Sequence, residues 1–539
     1  MNRGSFALVP CSLMLAMFAA AACESSSDDN KVTPDGGGGV FEAGGSTPEA
    51  APPIDAPADT SVACAPGGFQ WATPGGGAGQ SDNVYGVALD KDGSVWFTGT
   101  FIGSAKWGDV ALTAADTVHT TAFVAKLDAT GKVLFAKALG ADQTGIANVG
   151  QRVRLDADGN AYVVGTYEKE LKVGTVVDLI QDNTGSAGAG FVLKLDKDGN
   201  PLWGVTTANA GGSREAGRDV AVDANGDVYF TGHYNGNAKF VSTPGGGPDD
   251  IVVNAVGGDA SEEAVFLAKY SQTTKKWLWA KGWSGGGNDG GLGLGVVITA
   301  DGVSVTGQIN GKLDVDGTLL TAADGAFLIK ASKDDGHVLW TTQIAQTGAN
   351  IAHAVAAAAD ASGNVYLVGS FQGTASFESA AIVADAGADD AGAGAISVTV
   401  TDTGTDMFLA KYDANGKPIW VKHAGASNGI TSAADVAFDG TDGLYLSGFK
   451  QGSPIFDPST TLAHTGNLWV ARYDTSGAVK WVTGNDSPSV ASGEGFAVSV
   501  RSPSSGLVVG GTFVAMPTFG ALSVTSVGQD DGVVTRLCN

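Results

Sequence analysis

The chain has 539 residues, of which 81 are glycine and only 16% are charged, and its formal net charge is −25. Val, Thr, Ala and aromatic residues fill its periodic segments, a composition of short strands and tight turns that leaves no room for long amphipathic helices. The charge divides as +1 over residues 1–22, −7 over 23–63 and −19 over the remainder, so acidity is spread over the whole mature protein, a polyanion would be repelled and nucleic acid is excluded as a partner.

Residues 1–22 open with Met-Asn-Arg and continue as an apolar run from Phe6 to Ala22, stopped by Ser25-Ser26-Ser27-Asp28-Asp29. The run is short for a membrane span and has the layout of an export signal. Ala20-Ala21-Ala22-Cys23 resembles the lipobox of bacterial lipoproteins, although Leu is more usual three residues before the Cys; ordinary cleavage after Ala22 is the alternative. The resemblance implies lipidation of Cys23, a membrane link through the lipid anchor only, and, with Glu24 where a retention signal would carry Asp, residence at the outer membrane; without lipidation the chain is secreted. Residues 23–63 are poor in bulky apolar side chains and cannot offset the entropy of ordering, so they read as a disordered linker. As a flexible coil it would span roughly 35 Å.

From residue 64 to 539 one unit recurs. Its first half is a strand, an Asp-x-Asp-Gly-like turn and a second strand ending in Gly-x-aromatic, as in Val87–Phe101, and it returns at Val153–Tyr167, Val220–Tyr234, Val296–Ile309, Ala357–Phe371, Val436–Phe449 and Val498–Phe513. The marker glycines are Gly99, Gly165, Gly232, Gly307, Gly369, Gly448 and Gly511. The second half adds two more strands, as in Phe123–Phe135 and Phe408–Trp420. Four antiparallel strands, A to D, repeated seven times specify an all-β, seven-bladed β-propeller with four-stranded blades.

The two ends of the repeat region complete each other. The seventh copy stops after its C strand at Cys538, and the domain begins with an unmatched D strand, Phe69–Trp71. The N-terminal strand is therefore expected beside the last blade, removing an open edge. Aligned on the repeat, Cys64 and Cys538 both fall at the position of Asp128, on a C–D turn, and are expected to form a disulfide in an oxidising compartment. With Cys11 in the export signal and Cys23 lipidated, no cysteine is left over.

The units resemble bacterial seven-bladed β-propeller (SBBP) repeats, in which a Val-Asp-x-x-Gly-Asn-x-Tyr-x-Thr-Gly strand pair is followed by Asp-x-Phe-x-x-Lys-x-Asp; the likeness spans residues 68–538. It implies a secreted or surface protein and assigns no reaction. Tyr412–Trp420 also resembles the quinoprotein propeller repeat, but eight blades, an adjacent Cys-Cys pair and a calcium site are missing from the sequence, so no cofactor is expected. A cofactor-free outer-membrane assembly scaffold of that repeat type stays open as an alternative.

Asp90-Lys91-Asp92-Gly93 and its counterparts at Asp156 and Asp196 lack the Gly and Glu spacing of a calcium loop and read as hairpin turns. The basic series Lys126, Lys194, Lys269, Lys330, Lys411, Arg472 and Arg536, one per blade, reads as structural, as does the aromatic series Trp71, Phe135, Trp203, Trp279, Trp340, Trp420 and Trp481. The six histidines have no metal-ligand spacing, and no nucleophile elbow or phosphate loop occurs. Ligand binding is expected on the face of the D–A and B–C loops, where residues 235–264 and 372–406 are the longest insertions. Around the channel mouth the candidates, assigned to the D–A loops, are Arg152, Arg214, Glu215, Arg218, Asp219, Asn288, Asp289, His353, Asp435 and Glu494. Two functions compete: a monomeric, non-catalytic binding or scaffolding module for a protein or glycan, and a hydrolase or lyase acting on extracellular polymers, which requires carboxylates of shifted pKa at that mouth.

Overall fold

The computed structural model describes residues 64–539 apart from 79–80, 141–143, 146, 181–187, 210–214, 243–245, 256–262, 288, 347–350, 383–393 and 488–493. Cys23, the export signal and the linker therefore lie outside the described residues, as do Arg214 and Asn288. The described secondary structure is all β.

Seven antiparallel sheets form, each with its A strand at one edge. The A strands are Asn83–Leu89, Asn148–Leu155, Glu215–Val222, Gly290–Ile298, Ala352–Ala359, Ile430–Phe438 and Glu494–Val500. Each packs against the A strands of both neighbours, and the seventh packs against the first, so the sheets radiate from a closed ring about a central axis. Alternating side chains on B and C fill the spaces between blades; Phe97, Phe123, Phe230, Phe266, Phe327 and Phe408 are all fully buried. Burial of such a side chain stabilises by about 1.5–3 kcal/mol, which explains why no blade would be stable alone.

Phe69–Gly76 is the fourth strand of blade seven. It runs antiparallel to Asp531–Leu537, with Trp71 opposite Arg536 and Thr73 opposite Val534. Beyond the strands, Gly67 N–H donates to the Cys538 carbonyl at 2.9 Å and Cys538 N–H to the Gly68 carbonyl at 3.0 Å. Blade one makes the same pair of bonds within one continuous turn, from Gly131 to Asp128 and from Asp128 to Lys132. The two chain ends thus rebuild a C–D turn, and the Cys64–Cys538 disulfide supplies its missing covalent link.

The outer edges are also covered. The B–C segments fold back as hairpins, and several pair with the D strand of the preceding blade: Ser104–Trp107 with Phe69–Gly76, Asn237–Val241 with Pro201–Asn209, and Thr374–Phe377 with Val338–Gln346. Single bridges do the same at Ser284–Asp314, Gly425–Ile455 and Asp486–Thr518. The long insertions expected to be free loops at 235–264 and 372–406 are in part these edge strands. A D strand with unpaired backbone groups is a template for aggregation, and in blades seven, two and four the successor covers part of that edge.

The basic series is structural. Lys126, Lys269, Lys330 and Lys411 each donate to a carbonyl in the C–D turn of the following blade, those of Lys197, Lys333, Ala414 and Thr475. Arg536 carries the pattern across the closure to the Ala129 carbonyl of blade one at 3.3 Å. Within their own blades Lys194 and Lys330 pair with turn carboxylates, Asp156 at 3.0 Å and Asp301 at 2.6 Å. The B-strand aromatics Trp96, Tyr162, Tyr229, Tyr366 and Tyr445 lie beneath the cations.

Candidate functional site at the channel mouth

The inner ring owes its shape to the marker glycines. Opposite each, the A strand is bulged, so that one extra residue stands unpaired in the ladder. The kink swings the carbonyl two residues before the bulged one into the space of a side chain. A Cβ at Gly99, Gly165, Gly232, Gly307 or Gly369 would lie 1.8 Å from such an oxygen, and at Gly448 or Gly511 2.0 and 1.9 Å from one. Only glycine permits this approach.

The bulged residues, taken from blade seven round the ring, are Phe496, Tyr85, Gln151, Arg218, Leu294, Val355 and Ala434. They divide into two arcs. Leu294 and Val355 are buried aliphatics, followed by the small, partly accessible Ala434, whereas Phe496, Tyr85, Gln151 and Arg218 are partly accessible and carry an aromatic pair, an amide and a guanidinium. Tyr85 and Phe496 meet edge to face at 5.4 Å.

One residue deeper stand Arg152, Asp219 and Asp435. Arg152 donates to the Tyr85 carbonyl at 2.5 Å and to that of Phe496 at 3.4 Å, joining blades two, one and seven. Asp219 accepts from its own strand at Val220 N–H, 2.8 Å, and from blade four at Val296 N–H, 3.2 Å. Asp435 repeats this arrangement between blades six and seven, through Val436 and Val498. Arg154 reaches Asp219 at 3.2 Å, and against the effect of burial the charges of Asp219 and Asp435 hold the half-buried guanidinium ionised. Burial nonetheless keeps the Asp219 carboxyl above the usual range, against the pull of Arg154 and Arg152.

A second group of carboxylates lies where blades seven and one meet. Asp82 and Asp531 are 2% and 1% exposed. Asp82 accepts from Gly77 N–H at 2.6 Å and Ile102 N–H at 3.2 Å, and Asp531 from Val527 N–H at 2.5 Å. Gly76 and Gly77 are consecutive; a Cβ at Gly76 would touch Asp531 Oδ1 at 2.0 Å, so the two carboxyls flank one stretch of chain. Burial raises Asp82 to about 7, with Asp531 adding to the effect, and raises Glu494 to about 7, with Asp530 adding to it. Asp531 is itself raised by burial, and its Oδ1 has no hydrogen-bond partner.

The ten candidates are thus only partly brought together. Arg152, Glu215, Arg218, Asp219, His353, Asp435 and Glu494 lie within A strands, not on D–A loops, because the bulge extends each strand further towards that face than the repeat alone indicates. His353 is tied to Asp324 of blade four at 2.6 Å. Glu215 is 1% exposed, and burial drives its carboxyl well above the ordinary range. Asp289 belongs elsewhere, closing a tight turn on Gly286 and standing 3.9 Å from Lys312 beside the blade-four hairpin. Tyr85, Gln151, Arg154 and Phe496 escaped sequence reading, although the bulged residue always precedes the first Val or Ala of the repeat by two places.

The described residues hold no group of three or more His, Cys, Asp or Glu side chains able to bind a metal ion. No protein-family model and no curated protein matches the chain. Solved structures that are similar to it include polysaccharide lyase Uly1, at 10% identity and a TM-score of 0.39 over 86% of this chain and 90% of that one. They also include an inactive virginiamycin B lyase from Staphylococcus aureus, at 10% identity and a TM-score of 0.29 over 70% and 95%, respectively. A protein of unknown function from Dyadobacter fermentans matches at 8% identity and a TM-score of 0.34 over 86% and 98%. Likeness at this level carries no inference about activity, and the seven-bladed propeller rests on the chain's own sheet order and ring closure.

Proposed function

We propose that this protein is an exported, lipid-anchored binding propeller of SBBP repeat type that holds a protein or glycan partner at the cell envelope through the face bearing its D–A and B–C loops. The observation that carries this reading is the arc of partly accessible residues Phe496, Tyr85, Gln151 and Arg218 on that face, where Arg218 Nε is buried without a partner. Unsatisfied groups on a rigid frame are what a ligand can complete.

The test is affinity capture from envelope extracts with the full chain, set beside variants altered at Tyr85, Gln151 and Phe496. Partners lost with those variants support the reading; retention of every partner by all three overturns it. Acyl labelling of wild type and Cys23→Ser tests the anchor, and enrichment of outer-membrane proteins in the capture would favour the assembly scaffold.

A polymer-acting hydrolase or lyase is supported by one specific observation, the raised carboxyls of Asp82, Glu494 and Asp531 at the blade seven–one junction. Acids of pKa near 7 suit proton transfer. Turnover of a polysaccharide panel by wild type, abolished in Glu494→Gln, would establish it.

A further inference from the structure

The three arginines of the inner ring are not equivalent. Arg154 is neutralised by Asp219, and Arg152 is spent on two backbone carbonyls. Arg218 stands on the blade-three bulge with Nε buried and without a hydrogen-bond partner. The nearby charges are those of Glu263, an exposed carboxylate, and of Arg152, which repels it. Two neighbouring guanidiniums, one lacking an acceptor, form a place for an oxyanion, and a guanidinium takes a carboxylate with two parallel bonds.

The rest of the arc specifies what carries that oxyanion. Gln151 stands on the bulge of blade two, between the blades that carry Arg218 and Tyr85, and the Tyr85–Phe496 pair meets edge to face at 5.4 Å. An amide and aromatic rings next to a guanidinium suit a pyranose bearing one carboxylate, while the −25 charge of the chain opposes a dense polyanion at long range. Resting on the binding reading above, we propose that Phe496, Tyr85, Gln151 and Arg218, backed by Arg152, form a subsite for a uronic acid residue of a glycan, with Arg218 taking the carboxylate.

Calorimetric titration of the full chain with trimers of galacturonate, glucuronate and mannuronate, with neutral galactotriose, and with an acidic-free peptide having a free C-terminal carboxylate tests this. Wild type is expected to bind at least one uronate trimer saturably, to ignore galactotriose, and to lose about tenfold or more in affinity in Arg218→Gln. Without ligand, Arg218→Gln is expected to melt no lower than wild type, since it removes a buried Nε that lacks a hydrogen-bond partner. Failure of all three uronates to bind, equal binding by wild type and variant, preference for the peptide, or a clear fall in melting temperature overturns the subsite. A partner captured equally by wild type and Arg218→Gln would leave the binding reading standing while removing this one.

Discussion

Trp71 and Arg536 lie opposite each other across the closure of the ring, and both donate to the same acceptor, the Ala129 carbonyl of blade one, at 3.1 and 3.3 Å. The first strand and the last therefore meet at a third point, on the neighbouring blade. Trp279 with Lys269, and Trp340 with Lys330, share the carbonyls of Lys333 and Ala414 in the same way. Because one oxygen serves both donors, the effects of Trp71→Phe and Arg536→Met are expected not to add, with a coupling of about 0.5–3 kcal/mol in a double-mutant cycle read by denaturant unfolding. Simple additivity would show that the shared carbonyl is energetically idle.

The disulfide joins residues 474 apart in sequence, so it constrains nearly the whole unfolded domain. Cys64→Ser with Cys538→Ser, or reduction of wild type, is expected to cost about 2–5 kcal/mol in unfolding free energy. Limited proteolysis is expected to release the Phe69–Gly76 strand first.

At Gly369, a Cβ would meet the His353 carbonyl oxygen at 1.8 Å, and the backbone there cannot yield without undoing the bulge. Gly369→Ala is expected to destabilise by about 1–3 kcal/mol or more. Thermal unfolding close to wild type would refute the steric account of the marker glycines.

Asp82 and Glu494 titrate near 7 in the folded protein, above their values in an unfolded chain. Between about pH 4 and pH 7 the native state therefore holds more protons than the unfolded state, and stability falls as pH rises through that window. Asp82→Asn combined with Glu494→Gln is expected to flatten this slope and to raise stability at alkaline pH. An unchanged slope in denaturant midpoints measured across the window would show that these groups are not its source.

The architecture was readable because seven copies impose one frame on the chain: the marker glycines, the C-strand cations and the Asp-Gly turns recur at fixed offsets, and the unmatched Trp71 segment pointed to the closure. Side chains used once per ring were harder to place. Arg152 and Asp219 were recognised as channel residues but assigned to loops, since hydrophobic alternation says nothing of where a bulge inserts an extra residue. Tyr85 and Phe496 carry no mark of their own in the sequence, and only the offset opposite Gly99 and Gly511 sets them apart from their strand neighbours. The B–C insertions, rich in Gly and Asp, carried no sign that they would pair with the strand of another blade.

That pairing has a consequence for biogenesis. Since the margin of a blade is finished by the one synthesised after it, and the earliest strand by the latest, a chain emerging amino-end first cannot lock its opening segment until its final residues arrive. Maturation is thus gated by a single late docking event with the greatest possible loop to close, a slow step by nature. A truncation removing only Asp531–Leu537 would strand a nearly full-length polypeptide with sticky borders for quality control to clear.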